Sequence, residues 1–178
     1  TLEKITAEEN EMLAFIQQMP KGARVLDLGC GPGHWAAQMQ HAGLAVDAVD
    51  ASPEMAALAK SMFNVNVRVE TFEQLTLSGS YEGIWANFSL LHAPRAKFPT
   101  YLAQLHAAMR PEGILHLGMK LGDGEGRDHL GRFYSYYGEQ ELRDLLAASG
   151  FHVLRTKRGC GKGLAEKPET YVLLTAHA

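Results

Sequence analysis

Between Val25 and Trp35 the chain reads VLDLGCGPGHW: a short apolar run with an acidic residue inside it, glycines at alternate positions, and then an alanine-rich stretch. Few local structures accept this combination. The apolar run suits a strand buried on both faces, and the glycines suit a backbone that turns through conformations other residues avoid. HWAAQMQHAG then suits a helix that stops at Gly43. A strand turning sharply into a helix is the first half of a βαβ unit, so the segment commits its surroundings to a parallel sheet with helices on both faces.

The rest of the chain keeps that rhythm. LAVDAVD (44–50), VNVRVE (65–70), YEGIWANF (81–88) and GILHLGM (113–119) join ARVLDL (23–28) as strands. SPEMAALAKSMF opens a helix with Ser52 as N-cap and Pro53 at the first helical position. Leu102, Leu105 and Met109 stand at helical spacing before Pro111, as do Leu142, Leu145 and Leu146 before Gly150. FHVLRTKR (151–158) and ETYVLLTA (169–176) have only a Gly/Lys-rich loop between them, and are expected to pair antiparallel at one sheet edge. Residues 1–19 carry Leu13, Ile16 and Gln17 at the spacing of a packed helix. The chain begins at Thr1 within that helix, so the natural N-terminus is expected to be longer.

Composition narrows the partners. The 178 residues, 46% hydrophobic and 21% charged, are expected to form one domain spanning 1–178. The formal net charge is −3 and there is no block of five like charges, which argues against nucleic acid or an anionic membrane and for a small molecule. No apolar run approaches the roughly 18 residues of a membrane span, and no signal peptide is visible. Cys30 and Cys160 make no disulfide framework and no Cys/His spacing fits zinc, so no metal and a reducing cytoplasm are expected.

In an open α/β sheet, ligands sit beyond the carboxyl ends of the strands, where Gly29, Gly31 and Gly33 would lie. The helix that follows points free N–H groups and a positive dipole end at the same place, so the ligand should be polar and carry a negative group. A dinucleotide fingerprint places its third glycine where this chain has His34. A phosphate-binding P-loop fails as well: around GCGKG (159–163), Thr156 and Gly163 occupy positions that need Gly and Ser or Thr. What remains is G-x-G-x-G preceded by Asp27 on the strand.

VLDLGCGPG resembles the first motif of class I S-adenosylmethionine-dependent methyltransferases, of the small bacterial single-domain type. ASPEM after Asp50, YEGIWANFSLLHAP and RPEGILHLG resemble the later motifs in order, and the resemblance covers the chain from about Ala23 onward. It implies a Rossmann-like three-layer α/β/α sandwich with a seven-stranded, mostly parallel sheet and an antiparallel terminal strand. It also implies S-adenosylmethionine as cofactor. The backbone from Gly29 through Cys30 and Gly31 to Gly33, with Asp27 nearby, would then cradle the methionine moiety and Asp50 would hold the ribose. Ser52 and Met55 would lie at the adenine edge, Met55 being otherwise a core-filling methionine. Many relatives have an acidic and then a small residue after the third strand; here Thr71 and Phe72 stand there, and either Glu73 substitutes or the backbone alone serves.

Methyl transfer from a sulfonium needs alignment, exclusion of water and, for some nucleophiles, removal of a proton. The fourth-strand end, Asn87, Phe88, Ser89 and Leu91, is expected beside the donor and acceptor. His92 is the candidate general base, against the alternative of a hydrogen-bonded structural histidine. Asn87-Phe88-Ser89-Leu90 lacks the prolines of the nucleic-acid amino methyltransferases. The Gly-rich stretch 120–142 resembles a segment of small methyltransferases near the tellurite-resistance and quinone-biosynthesis groups. It holds Arg127, Arg132 and Tyr134, which suit a small anionic acceptor unless Glu125 and Asp128 neutralise the arginines internally. The expected protein is a monomer or homodimer. A cofactor-binding sensor without catalysis stays open, while a nicotinamide-dependent reductase is disfavoured because no Tyr-x-x-x-Lys pair occurs.

Overall fold

A computed structural model describes residues 2–77, 79–162 and 168–178. Helix α1 (Leu2–Gln18) leads into β1 (Arg24–Leu28), α2 (His34–His41), β2 (Ala45–Asp50), α3 (Pro53–Phe63) and β3 (Val67–Val69). Then follow β4 (Tyr81–Asn87), a 3-10 turn (Leu90–His92), α4 (Phe98–Ala107) and β5 (Met109–Lys120). A short hairpin, β6 (Glu125–Arg127) with β7 (Phe133–Ser135), precedes α5 (Glu139–Ala148), β8 (His152–Lys162) and β9 (Pro168–His177).

The seven-stranded sheet runs β3-β2-β1-β4-β5-β9-β8. Its first five strands are parallel, and β9 runs antiparallel to both β5 and β8. This is the Rossmann-like sandwich that the sequence predicts, with one refinement: β9 lies inside the sheet and β8 takes the edge. The order reverses between β1 and β4, which opens a crevice at their carboxyl ends.

Each face of the sheet buries its own stripe. Leu26, Leu28, Ile84, Leu115, Leu117, Val172 and Leu174 pack under α4 and α5, which contribute Phe98, Leu102, Leu105, Leu142 and Leu146. On the other face Val25 and Trp85 meet Met12 and Phe15 of α1 and Trp35 and Met39 of α2. Fully burying one such side chain contributes roughly 1.5–3 kcal/mol, which makes these two layers the main support of the crevice.

Three segments differ from the sequence expectation. Helix α4 ends at Ala107, so Met109 begins β5 instead of closing the helix. Pro111 disfavours helical backbone just before it, and the β4–β5 register slips between Tyr81–Met109 and Gly83–Ile114. The Gly/Lys-rich connection is largely strand, since β8 reaches Lys162; positions 163–167 lie outside the described residues. The stretch 120–142 contains the β6–β7 hairpin. No helix among the described residues is long and apolar enough to cross a membrane.

Candidate active site

The turn after β1 is left-handed at Gly29 (φ 73°), Gly31 (φ 54°) and Gly33 (φ 85°). Space is as restrictive as angle: a Cβ on Gly29 would overlap the Ser89 side chain, and one on Gly33 would lie 2.8 Å from Ala59 Cβ. The N–H groups of Gly29 and Cys30 donate to Val49 O at 2.8 and 3.0 Å, tying the turn to β2. Asp50, at the end of β2, accepts from Gly31 N at 2.8 Å through Oδ2 and from Ser52 N at 2.9 Å through Oδ1. Each of these oxygens keeps a second lone pair. Ser52 Oγ accepts from Met55 N at 3.1 Å, capping α3 as its sequence predicts.

These elements frame a cleft of about 600 Å³. Its lining includes Gly29, Asp50, Ser52, Met55, Phe72 and Glu73 together with Phe88, Ser89, His92, Pro94 and Arg132, and Ser89 lies directly beside Gly29. Met55 faces this space, half-buried, in place of filling the core. Phe72 packs its ring 5.5 Å from that of Tyr101, whose hydroxyl donates to Glu73 Oε1 at 3.1 Å. Phe88 holds a left-handed backbone (φ 55°) that is uncommon for a bulky residue and lies edge-on to Tyr171. Ser89 is 6% exposed, and its Oγ has no hydrogen-bond partner among the described residues.

Other predicted residues stand behind this lining. Asp27 is 1% exposed with Oδ2 unpartnered among the described residues. Burial, and then the Asp50 carboxylate, push its pKa up to about 8 against the opposing backbone N–H of Ala36. The Cys30 side chain packs among Ala36, Ala48, Ala59 and Val65, and burial followed by the Asp27 and Asp50 charges raises its thiol pKa. Its backbone is engaged within the turn, N–H donating to Val49 O and C=O accepting from Gly33 N at 3.1 Å. Asn87 turns toward α1: Oδ1 accepts from His116 Nε2 at 3.1 Å and Nδ2 donates to Glu8 Oε2 at 3.4 Å. Gly118 is needed beside it, since a Cβ there would sit 2.5 Å from Asn87 Oδ1.

His92 has one fixed nitrogen. Its Nδ1 lies 2.7 Å from Phe133 O, an acceptor only, so Nδ1 carries the proton and Nε2 is a bare acceptor. The ring is open on the cleft side and packed against Tyr134 on the other, with centroids 4.7 Å apart. Loss of water lowers the His92 pKa; the Phe133 carbonyl opposes this, while Arg132 and Lys120 add to it. Arg132 meets Asp128 Oδ2 through Nε at 2.8 Å and Nη2 at 2.5 Å, the internal pairing that the spacing allowed. Arg127 does not line the cleft: it donates to Gly131 O at 2.6 Å and lies over the Phe133 ring. Glu125 accepts from Arg95 N. Tyr134 is buried behind His92, under Lys120 Nζ at 4.1 Å from its ring centroid.

Sequence reasoning missed the Phe133 carbonyl, Pro94 and Lys120. A backbone acceptor leaves no mark in residue identity, and Pro94 and Lys120 matter only because the hairpin folds over them. Ser135 Oγ donates to Ala93 O at 2.7 Å to hold it there.

The cradle fits an adenosyl-bearing cofactor: a turn too tight for a side chain, a carboxylate with spare lone pairs, and unpartnered oxygens on Asp27 and Ser89. Comparison with known proteins agrees. The family model described as "Methyltransferase domain" matches residues 5–156. Ubiquinone biosynthesis O-methyltransferase of Xanthomonas axonopodis pv. citri is 35% identical over 106 residues, covering 55% of this chain and 43% of that protein. Trans-aconitate 2-methyltransferase of Deinococcus radiodurans is 34% identical over 112 residues, covering 62% and 42%. The chain thus spans less than half the length of these curated relatives. Among solved structures, Burkholderia thailandensis 1,6-didemethyltoxoflavin-N1-methyltransferase, with bound 1,6-didemethyltoxoflavin and S-adenosylhomocysteine, superposes with a TM-score of 0.76 at 29% identity. That superposition covers 93% of this chain and 75% of that one.

Proposed function

The chain belongs to the methyltransferase-domain family, and on that footing we propose that it transfers a methyl group from S-adenosylmethionine to a small-molecule acceptor by direct displacement. The observation that carries the reading is that one cleft is lined by Gly29 of the glycine turn, by Asp50 and by His92.

The backbone of the 29–33 turn, with Asp27 beneath it, holds the methionine end. Asp50 takes the ribose hydroxyls on its spare lone pairs, Ser52 and Met55 meet the adenine edge, and the Phe72 face closes over it with Glu73 alongside. Bound there, S-adenosylmethionine supplies a methyl group already activated by a positive sulfur. The protein then aligns the acceptor against Phe88 and Ser89, keeps water out, and accepts a proton at His92 Nε2. Arg132, preoriented by Asp128, borders the acceptor. Arg127 and Tyr134 contribute by shaping the hairpin and backing His92. The reading includes work in the cytoplasm as a monomer or homodimer, without a nucleic-acid partner.

Calorimetric titration with S-adenosylmethionine, S-adenosylhomocysteine and NADH tests it. The first two should bind and NADH should not, and Asp50→Ala should weaken both by tenfold or more. Binding of NADH, or of none of the three, would sink the reading. Release of S-adenosylhomocysteine across a metabolite set then separates enzyme from sensor.

A further inference from the structure

Resting on that methyl-transfer reading, the geometry around His92 points to the acceptor class: a flat conjugated ring bearing an acidic O–H or N–H, such as a phenol, an enol or a ring imide. His92 Nε2 takes its proton as the conjugate base attacks.

The first support is the fixed tautomer. Phe133 O, Ser135 and Tyr134 belong to one hairpin strand, so a single element sets which nitrogen of His92 is bare and how the ring stands. A histidine used only as a structural donor would need no opening on its other side, yet His92 lines the cleft.

The second is charge. The groups facing His92 are Arg132 and Asp128 on the hairpin, Lys120 on β5 and, through Lys120, Glu169 on β9. Both cations have partners, Asp128 for Arg132 and Glu169 at 2.7 Å for Lys120. A permanently charged carboxylate acceptor therefore finds cations already matched, and it has no proton for His92 to remove. An alkylamine, with an ordinary pKa of about 10, arrives protonated and without a lone pair to attack.

The third is the strength of the base. Burial, Arg132 and Lys120 hold His92 below the usual histidine range. Each unit by which the acceptor's pKa exceeds that of the base costs a factor of about ten in the proton equilibrium. An alkyl hydroxyl, near water at about 16, lies more than about nine powers of ten away, whereas a phenol at about 10 is about six powers of ten nearer and a conjugated enol or imide nearer still. Among hydroxyl and ring N–H acceptors only the acidic, conjugated ones are within reach, and Phe88, Pro94 and the apolar cleft suit a flat ring.

The step balances. The acceptor's proton passes to Nε2 and later to solvent, and the acceptor's electron pair forms the bond to the methyl carbon. The carbon–sulfur bond breaks with its electrons left on sulfur, which becomes a neutral thioether.

The test uses the protein saturated with S-adenosylhomocysteine and a chromogenic nitrophenol. Bound nitrophenol should show phenolate absorbance at least one pH unit below its free pKa, and H92Q, checked for folding by its own S-adenosylhomocysteine binding, should lose that shift. In turnover, the wild-type to H92Q ratio should be about 10²–10⁴ for weakly acidic phenols and fall at least tenfold as acceptor pKa approaches the assay pH. The class assignment is overturned if nitrophenols do not bind, if they bind without the shift, if the ratio is flat, or if alkylamines or carboxylates are methylated while phenols and ring imides are not. Failure of S-adenosylhomocysteine to bind at any pH overturns the methyl-transfer reading itself.

Discussion

Replacing Asp27 by Asn should change how stability depends on pH more than it changes stability at any one pH. The carboxyl is 1% exposed, Oδ2 has no partner among the described residues, and its pKa stands at about 8. In the unfolded chain it titrates near 3.9. Between those values the folded protein keeps the proton and the unfolded chain has released it, so stability falls as pH rises. The contribution is complete below about pH 4 and lost above about pH 8. The slope is about 1.4 kcal/mol per pH unit, so the ceiling over the window is on the order of 5 kcal/mol and the loss from pH 5 to 7 is about 3 kcal/mol. His116 works in the opposite direction. Buried and next to Arg155, its pKa falls to about 3, so folding gains stability as pH rises from there toward 6.5. A double difference removes that term. Denaturant unfolding of wild type and D27N at pH 5 and pH 7 should show the wild type losing about 3 kcal/mol more than the variant. Parallel pH profiles, within about 0.5 kcal/mol, would refute a buried protonated Asp27.

Two further substitutions test the frame of the site. Gly29→Ala forces a Cβ into left-handed backbone at a cost of about 1–2 kcal/mol and displaces Ser89, so unfolding stability should drop by at least that much and S-adenosylhomocysteine affinity tenfold or more. Unchanged affinity would show that the turn is not a ligand cradle. Arg95→Ala removes donors to Tyr136 O and Glu141 and a guanidinium stacked over Tyr137; at 30% exposure the loss should be about 1–2 kcal/mol, with faster limited proteolysis within 122–132.

The parallel half of the fold was legible because its signals are local. VLDL is buried at every position, Ser52 and Pro53 open α3 as such residues do, and Gly33 and Asp50 stand where the turn needs them. The place of β9 was legible in principle. ETYVLLTA is apolar on both faces, whereas HVLRTKR alternates with charges, and that contrast separates an interior strand from an edge. The hairpin was not legible. Its strands, EGR and FYS, are three residues each, too short to show a period, and they are ordered by His92, Ala93 and Arg95, about 30–40 residues earlier in the chain. For the same reason Arg127 and Arg132 looked equivalent: the two bonds from Arg132 to Asp128 Oδ2 and the fold of the tip separate them.

The interior position of β9 constrains how this chain is made. Until residues 168–177 leave the ribosome, β5 and β8 each lack the partner that β9 supplies, so over that interval the nascent protein carries two unpaired strand flanks. The β1–β4 crevice can form before that moment, but β5 and β8 join one sheet only when β9 slides in between them.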